Sequence, residues 1–248
     1  MNGKSAKIFM RQYAIFSCFF ISVAVSLPTF VGCGNGNAFS KLEKRSDKDK
    51  GKSALANGDY GEAIVSLEDY LKDNPDDHEA RQSLANAYMK KAKMDPLELA
   101  SKIASAQESN GKNDWQAIVS SMPEGSSENI ELFEKAAEVI EAIPADQRTK
   151  EQNYQLAIAK ASVAVTIVKK VTDDTSGSPS AEKIDQLTED EAEKVVDNLD
   201  GTATALSTAG VGNGSSGAGK LASVSEQIKS QEGASSSEKL KAYLKSKK

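Results

Sequence analysis

Residues 53–88 read SALANGDYGEAIVSLEDYLKDNPDDHEARQSLANAY, and their spacing restricts the fold more than any other feature of the chain. Ala63, Ile64 and Leu67, then Leu84, Ala85 and Tyr88, recur at intervals of three and four, which places side chains on one face of an α-helix. Gly58, ahead of Asp59 and Tyr60, permits the backbone of a turn between two helices. Pro75, after Asn74, ends a helix because its nitrogen carries no hydrogen. Ala63 and Ala85 are small where helices approach closely, and Tyr60, Leu67, Leu84 and Tyr88 fill the space between them. Aromatics make up only 6% of the chain, so strand-forming runs are scarce and the expected class is all-α.

This pattern resembles the tetratricopeptide repeat, with Gly58, Tyr60, Ala63, Leu67 and Pro75 in one repeat and Leu84, Ala85 and Tyr88 opening the next. The resemblance implies an α-solenoid of antiparallel helical hairpins that presents a surface to a protein or peptide. In that family the first helix of each repeat lines a concave groove. By that alignment Gln82, Asn86 and Met89 face it, and Lys48 and Lys52 hold similar positions one helix earlier. That earlier helix carries Asp47 and Lys50 where bulky apolar residues are usual, so it is expected to fray or to act as a solvated cap.

The repeat pattern is lost after Tyr88. Asp95 as N-cap, Pro96 at the first helical position and Glu98 at the third open a further helix, which Asn110 and Gly111 close. Residues 112–127 read as an irregular insertion with Trp115 as a packing residue. Phe133, Ala136, Ala137, Ile140 and Ile143 form one stripe ended by Pro144. After the capping box of Thr149 and Gln152, Tyr154, Ala157, Ile158, Ala161, Val165 and Val168 form another. Leu156, Val163 and Ile167 lie on its other faces, so this helix is expected to be buried on several sides. Together 128–171 reads as a degenerate helix pair, which brings the helical domain, 50–172, to about three repeat-like units.

Residues 173–206 hold a linker and a helix capped by Thr188 and Glu191. Residues 207–219 (STAGVGNGSSGAG) are rich in Gly and Ser, so 207–248 is expected to be a flexible linker and a Lys-rich tail with weak helix.

The N-terminus has a different character. Residues 1–12 carry Lys4, Lys7 and Arg11 without an acid, and 13–27 (YAIFSCFFISVAVSL) are apolar or small, the two zones of an export signal. Phe30, Val31, Gly32 and Cys33 follow, and they resemble the lipobox of bacterial lipoproteins, with Phe30 where leucine is usual. That resemblance implies a signal peptide over 1–32, a diacylglyceryl thioether and acyl groups on Cys33, and a polar tether over 33–49. Several acyl chains, at about 0.8 kcal/mol per buried methylene, make a durable membrane anchor. The other reading is an uncleaved anchor, because the 19 residues 13–31 can just span a bilayer. Cys18 lies in the apolar run, so cleavage leaves Cys33 as the sole thiol and no internal disulfide. Gly34 stands where an inner-membrane retention signal has Asp, so the expected location is the outer membrane, facing the periplasm.

Charge and side-chain inventory narrow the function classes. The net charge is −5, but residues 220–248 hold seven Lys against three Glu, and the body from Cys33 to that tail is strongly acidic. An acidic body argues against nucleic acid, which requires a clustered basic face. His78 is the sole histidine, so no multi-imidazole zinc site or usual His-based nucleophile pair can be assembled. The run from Gly214 to Lys220 has phosphate-loop spacing, but Leu221 replaces the hydroxyl that binds magnesium. No catalytic residue, cofactor or metal site is expected. The expected function is a lipid-anchored scaffold for an envelope partner, ahead of a solute-binding accessory lipoprotein and, third, an envelope enzyme.

Overall fold

The computed structural model describes residues 46–95, 99, 119, 122–172, 180–211 and 217–246, which fall in one compact unit running from Arg45 to Lys248. Among the described residues there are nine helices and no strand. They are α1 (Asp47–Asn57), α2 (Tyr60–Asp73), α3 (His78–Lys91), α4 (Ser127–Glu141), α5 (Lys150–Thr172), α6 (Ala181–Ile184), α7 (Glu189–Thr208), α8 (Gly217–Lys229) and α9 (Ser236–Ser246).

Local chemistry accounts for their ends. Gly58 takes φ 84°, and the Asp59 N–H behind it reaches back to the Ala54 carbonyl at 2.9 Å, closing α1 through a left-handed cap. The Asp77 carboxylate accepts from the Ala80 N–H at 2.9 Å and starts α3. Both capping boxes form. The Gln152 N–H donates to Thr149 Oγ1 at 3.2 Å while the Thr149 N–H donates to Gln152 Oε1 at 2.9 Å, and Thr188 with Glu191 does the same for α7. Helix α1 is intact, and its anomalous pair, Lys50 and Asp47, meets at 2.8 Å on the solvated side.

The helices stack in two layers. Helix α1 packs on α2, α2 on α3, α3 on α4, α4 on α5 and α5 on α7. Direct bonds tie alternate members together. Gln152 and Gln155 of α5 donate to the His78 and Gln82 carbonyls of α3, and Lys194 of α7 pairs with Glu134 of α4. Thus α1, α3 and α5 form the first layer, and α2, α4 and α7 the second. The α1–α2 crossing is close because Gly51 has no Cβ: one built there would lie 2.6 Å from Leu67 Cγ. Ala63, Leu67, Ala80 and Ala85 are fully enclosed at this end of the core, with Leu84 and Tyr88 nearly so. Helix α5 is buried on several sides as expected, with Leu156, Ala157, Ala161, Val163, Val165, Ile167 and Val168 all inside.

Helices α4 and α5 pack on one another, and α4 also packs on α3 across the interruption of residues 92–126. Two expectations are corrected. Residue 172 is no domain boundary, since α7 packs on α5 more extensively than any other pair does. Within 207–248, helices α8 and α9 are docked on α7, so the C-terminal part is no loose tail. Val224, Ile228, Leu240, Tyr243 and Leu244 are buried there, and the packing overrides the weak helix propensity of a Gly- and Ser-rich segment. Residues 212–216 lie outside the described residues.

Candidate protein-interaction surface

The first-layer face begins at α1, where Lys48 and Lys52 project one turn apart toward the start of α3. Lys48 meets Asp77 at 2.7 Å and Glu79 at 2.8 Å, and Lys52 also pairs with Glu79. The Tyr70 hydroxyl donates to the same Asp77 carboxylate at 2.9 Å, and the Lys48 ammonium lies 6.0 Å from the Tyr70 ring centroid. Asp77 is held down from 3.8 to about 2: burial opposes the shift, and the bonds from Lys48, the Ala80 N–H and Tyr70 outweigh it. The same bonds to Asp77 and Glu79 raise Lys48 far above its ordinary value. Lysines that read as open groove positions therefore form an ordered ion-pair ladder along the α1–α3 edge.

Along α3, Gln82 and Asn86 are half-buried and remain accessible on this face. Met89 is not: it is fully enclosed, which corrects its assignment to an open groove. It belongs to the core that α3 shares with the helices packed around it. On α5 the residues Gln152, Gln155, Ser162, Thr166 and Lys169 follow at intervals of three, seven, four and three along one face, and all are buried. The two glutamines bind α3 carbonyls, at 3.3 Å to His78 and 3.2 Å to Gln82. The Ser162 hydroxyl lies 3.2 Å from Met94 Sδ and donates to the Ile158 carbonyl at 2.7 Å. Lys169 Nζ donates to the carbonyls of Val119 at 3.2 Å and Met122 at 2.8 Å. Met94, Leu99, Val119 and Met122 are all buried, in the same hydrophobic core as Met89.

Gly125 continues this clamp. A Cβ there would fall 2.2 Å from the Lys170 amide nitrogen, so only glycine lets the chain pass so close to the α5 backbone. Sequence reasoning missed Gly125 and Lys169. The available signal was a lysine continuing the small and polar stripe of a helix otherwise apolar on several sides.

Other expectations fall partly or wholly outside the described residues. The expected helix start at Asp95 is seen in part: the Leu99 N–H donates to the Asp95 carbonyl at 2.9 Å, and the Asp95 carboxylate pairs with Lys90. Pro96, Glu98, Asn110, Gly111 and Trp115 lie outside the described residues, as do Cys33, the signal segment and residues 214–216 of the glycine-rich run. An open recess of about 630 Å³ beside Pro75 and His78 at the α2–α3 turn includes Asp77, already engaged by three donors. Among the described residues no group of acidic, histidine or cysteine side chains could hold a metal ion.

A small enclosed alanine at the crossing, a glycine turn and a proline after the second helix now stand in one geometry. Residues 54–96 match the tetratricopeptide repeat family. The match runs from the last turn of α1 through α2 and α3, so it covers the hairpin and the start of the next pair. No curated protein and no solved structure matches the chain. The repeat generally serves as a helical scaffold for protein interactions, and the two-layer stack of hairpins agrees with that use.

Proposed function

We propose that this chain is a lipid-anchored tetratricopeptide scaffold of the bacterial cell envelope, tethered through Cys33 and docking a protein or peptide partner on its first-layer face. The observation that carries the reading is the repeat match over 54–96, on a hairpin stack whose α1–α3 face keeps Gln82 and Asn86 accessible beside Lys48, Lys52 and Glu79. The anchor rests on the charged, apolar and Gly-Cys order of residues 1–33, and the outer membrane is the proposed location because Gly34 follows Cys33. Function lies in that docking face, and the protein is not an enzyme.

The test has two arms in one preparation. Cells making the full chain are fed a clickable fatty acid, and the protein is purified from envelopes beside Cys33→Ser and Lys52→Ala/Gln82→Ala/Asn86→Ala. Gln82→Ala keeps the backbone carbonyl that receives Gln155, so the triple variant should fold. Label on wild type but not on Cys33→Ser, and a partner that the triple variant loses, are the expected results. An unmodified Cys33 removes the anchor, and equal recovery of every bound protein by wild type and triple variant removes the docking face.

A further inference from the structure

The charges of the two layers differ in sign. Helices α2, α4 and α7 carry fifteen carboxylates against three lysines, whereas α1, α3 and α5 carry ten cationic side chains against four carboxylates. Solvation needs charge but not this sorting, since either sign keeps a surface wet.

The seam between α2 and α4 shows what the acidic layer accommodates. Tyr88 of α3 forms its floor, and the Tyr88 hydroxyl donates to Glu68 of α2. Lys135 of α4 pairs with Glu131 at 2.9 Å, and its ammonium lies 6.0 Å from the Tyr88 ring centroid. Burial first, then the bond to Glu68 and the charges of Glu68, Glu138 and Glu131, push the Tyr88 hydroxyl far above its ordinary range. An aromatic floor walled by three carboxylates therefore already takes one ammonium. Val65 is 59% exposed, and helical spacing sets it among Glu62, Glu68 and Asp69.

At the other end of the layer the chain supplies an occupant of the same chemistry. Helix α7, with six carboxylates against one lysine, receives the basic terminal hairpin. There Lys229 pairs with Asp200 at 2.7 Å, the Ser225 hydroxyl donates to the same carboxylate, and Lys245 pairs with Asp185, just ahead of α7, at 2.6 Å. Buried Ile228 and Leu240 anchor this hairpin between the charged contacts.

We infer that the α2–α4 seam is a second docking face, whose occupant is an amphipathic, lysine- and arginine-rich helical segment of a protein partner. Cationic side chains of that segment enter among Glu68, Glu131 and Glu138, an apolar one covers Val65, and Lys135 is the internal competitor. This face is separate from the first-layer one, because the carboxylates it uses lie on α2 and α4, whereas Gln82 and Asn86 lie on α3.

The test measures binding of a fluorescein-labelled synthetic helical peptide, lysine-rich with one leucine per turn, to the purified full chain by anisotropy. Glu68→Gln/Glu131→Gln/Glu138→Gln should weaken binding about tenfold and flatten its salt dependence. The Glu68→Gln change keeps an acceptor for the Tyr88 hydroxyl, so the floor of the seam stays in place. Asp190→Asn/Glu193→Gln/Asp197→Asn removes the same charge from α7 and should change affinity less than about twofold. Lys135→Ala, on an exposed side chain, should tighten binding severalfold. Equal weakening by both triple variants, or Lys135→Ala binding no tighter than wild type, would overturn the assignment.

Discussion

Replacing Gly51 by alanine tests the α1–α2 crossing on which the repeat geometry depends. The added Cβ would lie 2.6 Å from Leu67 Cγ, 3.0 Å from Leu67 Cδ2 and 3.3 Å from the Ala63 carbonyl oxygen. Leu67 is fully enclosed, so it cannot swing into solvent and α1 must move outward. Such overpacking costs about 1–3 kcal/mol, offset by about 1 kcal/mol of helix propensity gained when glycine becomes alanine. Gly61, also helical, is the internal control: a Cβ there meets nothing within 4 Å, so Gly61→Ala keeps the propensity gain without the clash. The difference between the two variants is then about 1–3 kcal/mol, or roughly 2–12 °C in melting temperature for a body of this size, with Gly51→Ala the lower. Thermal melts followed by circular dichroism at about 222 nm, the helical amide band, read this directly, and hydrogen exchange of the α1 amides localises it. Gly51→Ala melting at or above Gly61→Ala would mean that α1 does not cross α2 in this register.

Three further outcomes follow from named contacts. Asp77 titrates near 2 when folded and near 3.8 when free, so its ion pairs stabilise the fold above about pH 4 and are lost as pH falls toward 2. The melting deficit of Asp77→Asn should accordingly be constant from about pH 5 to 7 and shrink on acidification, and a deficit that grows on acidification would reverse the assignment. Lys169→Met takes the lysine donor from two buried carbonyls, at about 1–3 kcal/mol each, and should raise protease sensitivity near Met122 before global unfolding; unchanged cleavage there would deny the clamp. Leu240→Ala, in a fully enclosed site of α9, should lower stability by about 2–5 kcal/mol, whereas a loose tail would leave the melting curve unaltered.

What could be read from sequence depended on how far each contact reaches. The boundaries of α2, α3, α5 and α7 follow from local turn and cap signals, such as Thr149 with Gln152 and Thr188 with Glu191, whose partners stand three residues apart. The enclosed positions Ala63, Leu67, Leu84 and Ala85 follow from helical period alone. Met89 shares that period with Gln82 and Asn86 but is fully enclosed in the common core, and the bonds that hold α5 to the rest of that core span long sequence distances, as in the Lys169 bond to Val119 across 50 residues. No local pattern marks such a partner. The terminal helices were hidden for a related reason: the run from 207 to 219 ahead of them is rich in Gly and Ser, and the α7 surface on which they pack is not marked by any local pattern. The two-layer charge sorting was present in the sequence from the start, but net charge averages it away until each helix is assigned to a layer.

The most direct test of the scaffold reading is site-specific photocrosslinking in intact cells. A photoreactive residue is placed at Asn86 on the first-layer face, with the exposed turn residue Asp146 as control, in the full chain with Cys33 intact. The account predicts a discrete, light-dependent adduct to one envelope protein from position 86 and none from position 146, lost when Lys52 and Gln82 are replaced by alanine. Adducts of equal yield and identity from both positions, or no protein adduct at position 86 in a folded and lipidated chain, would contradict it.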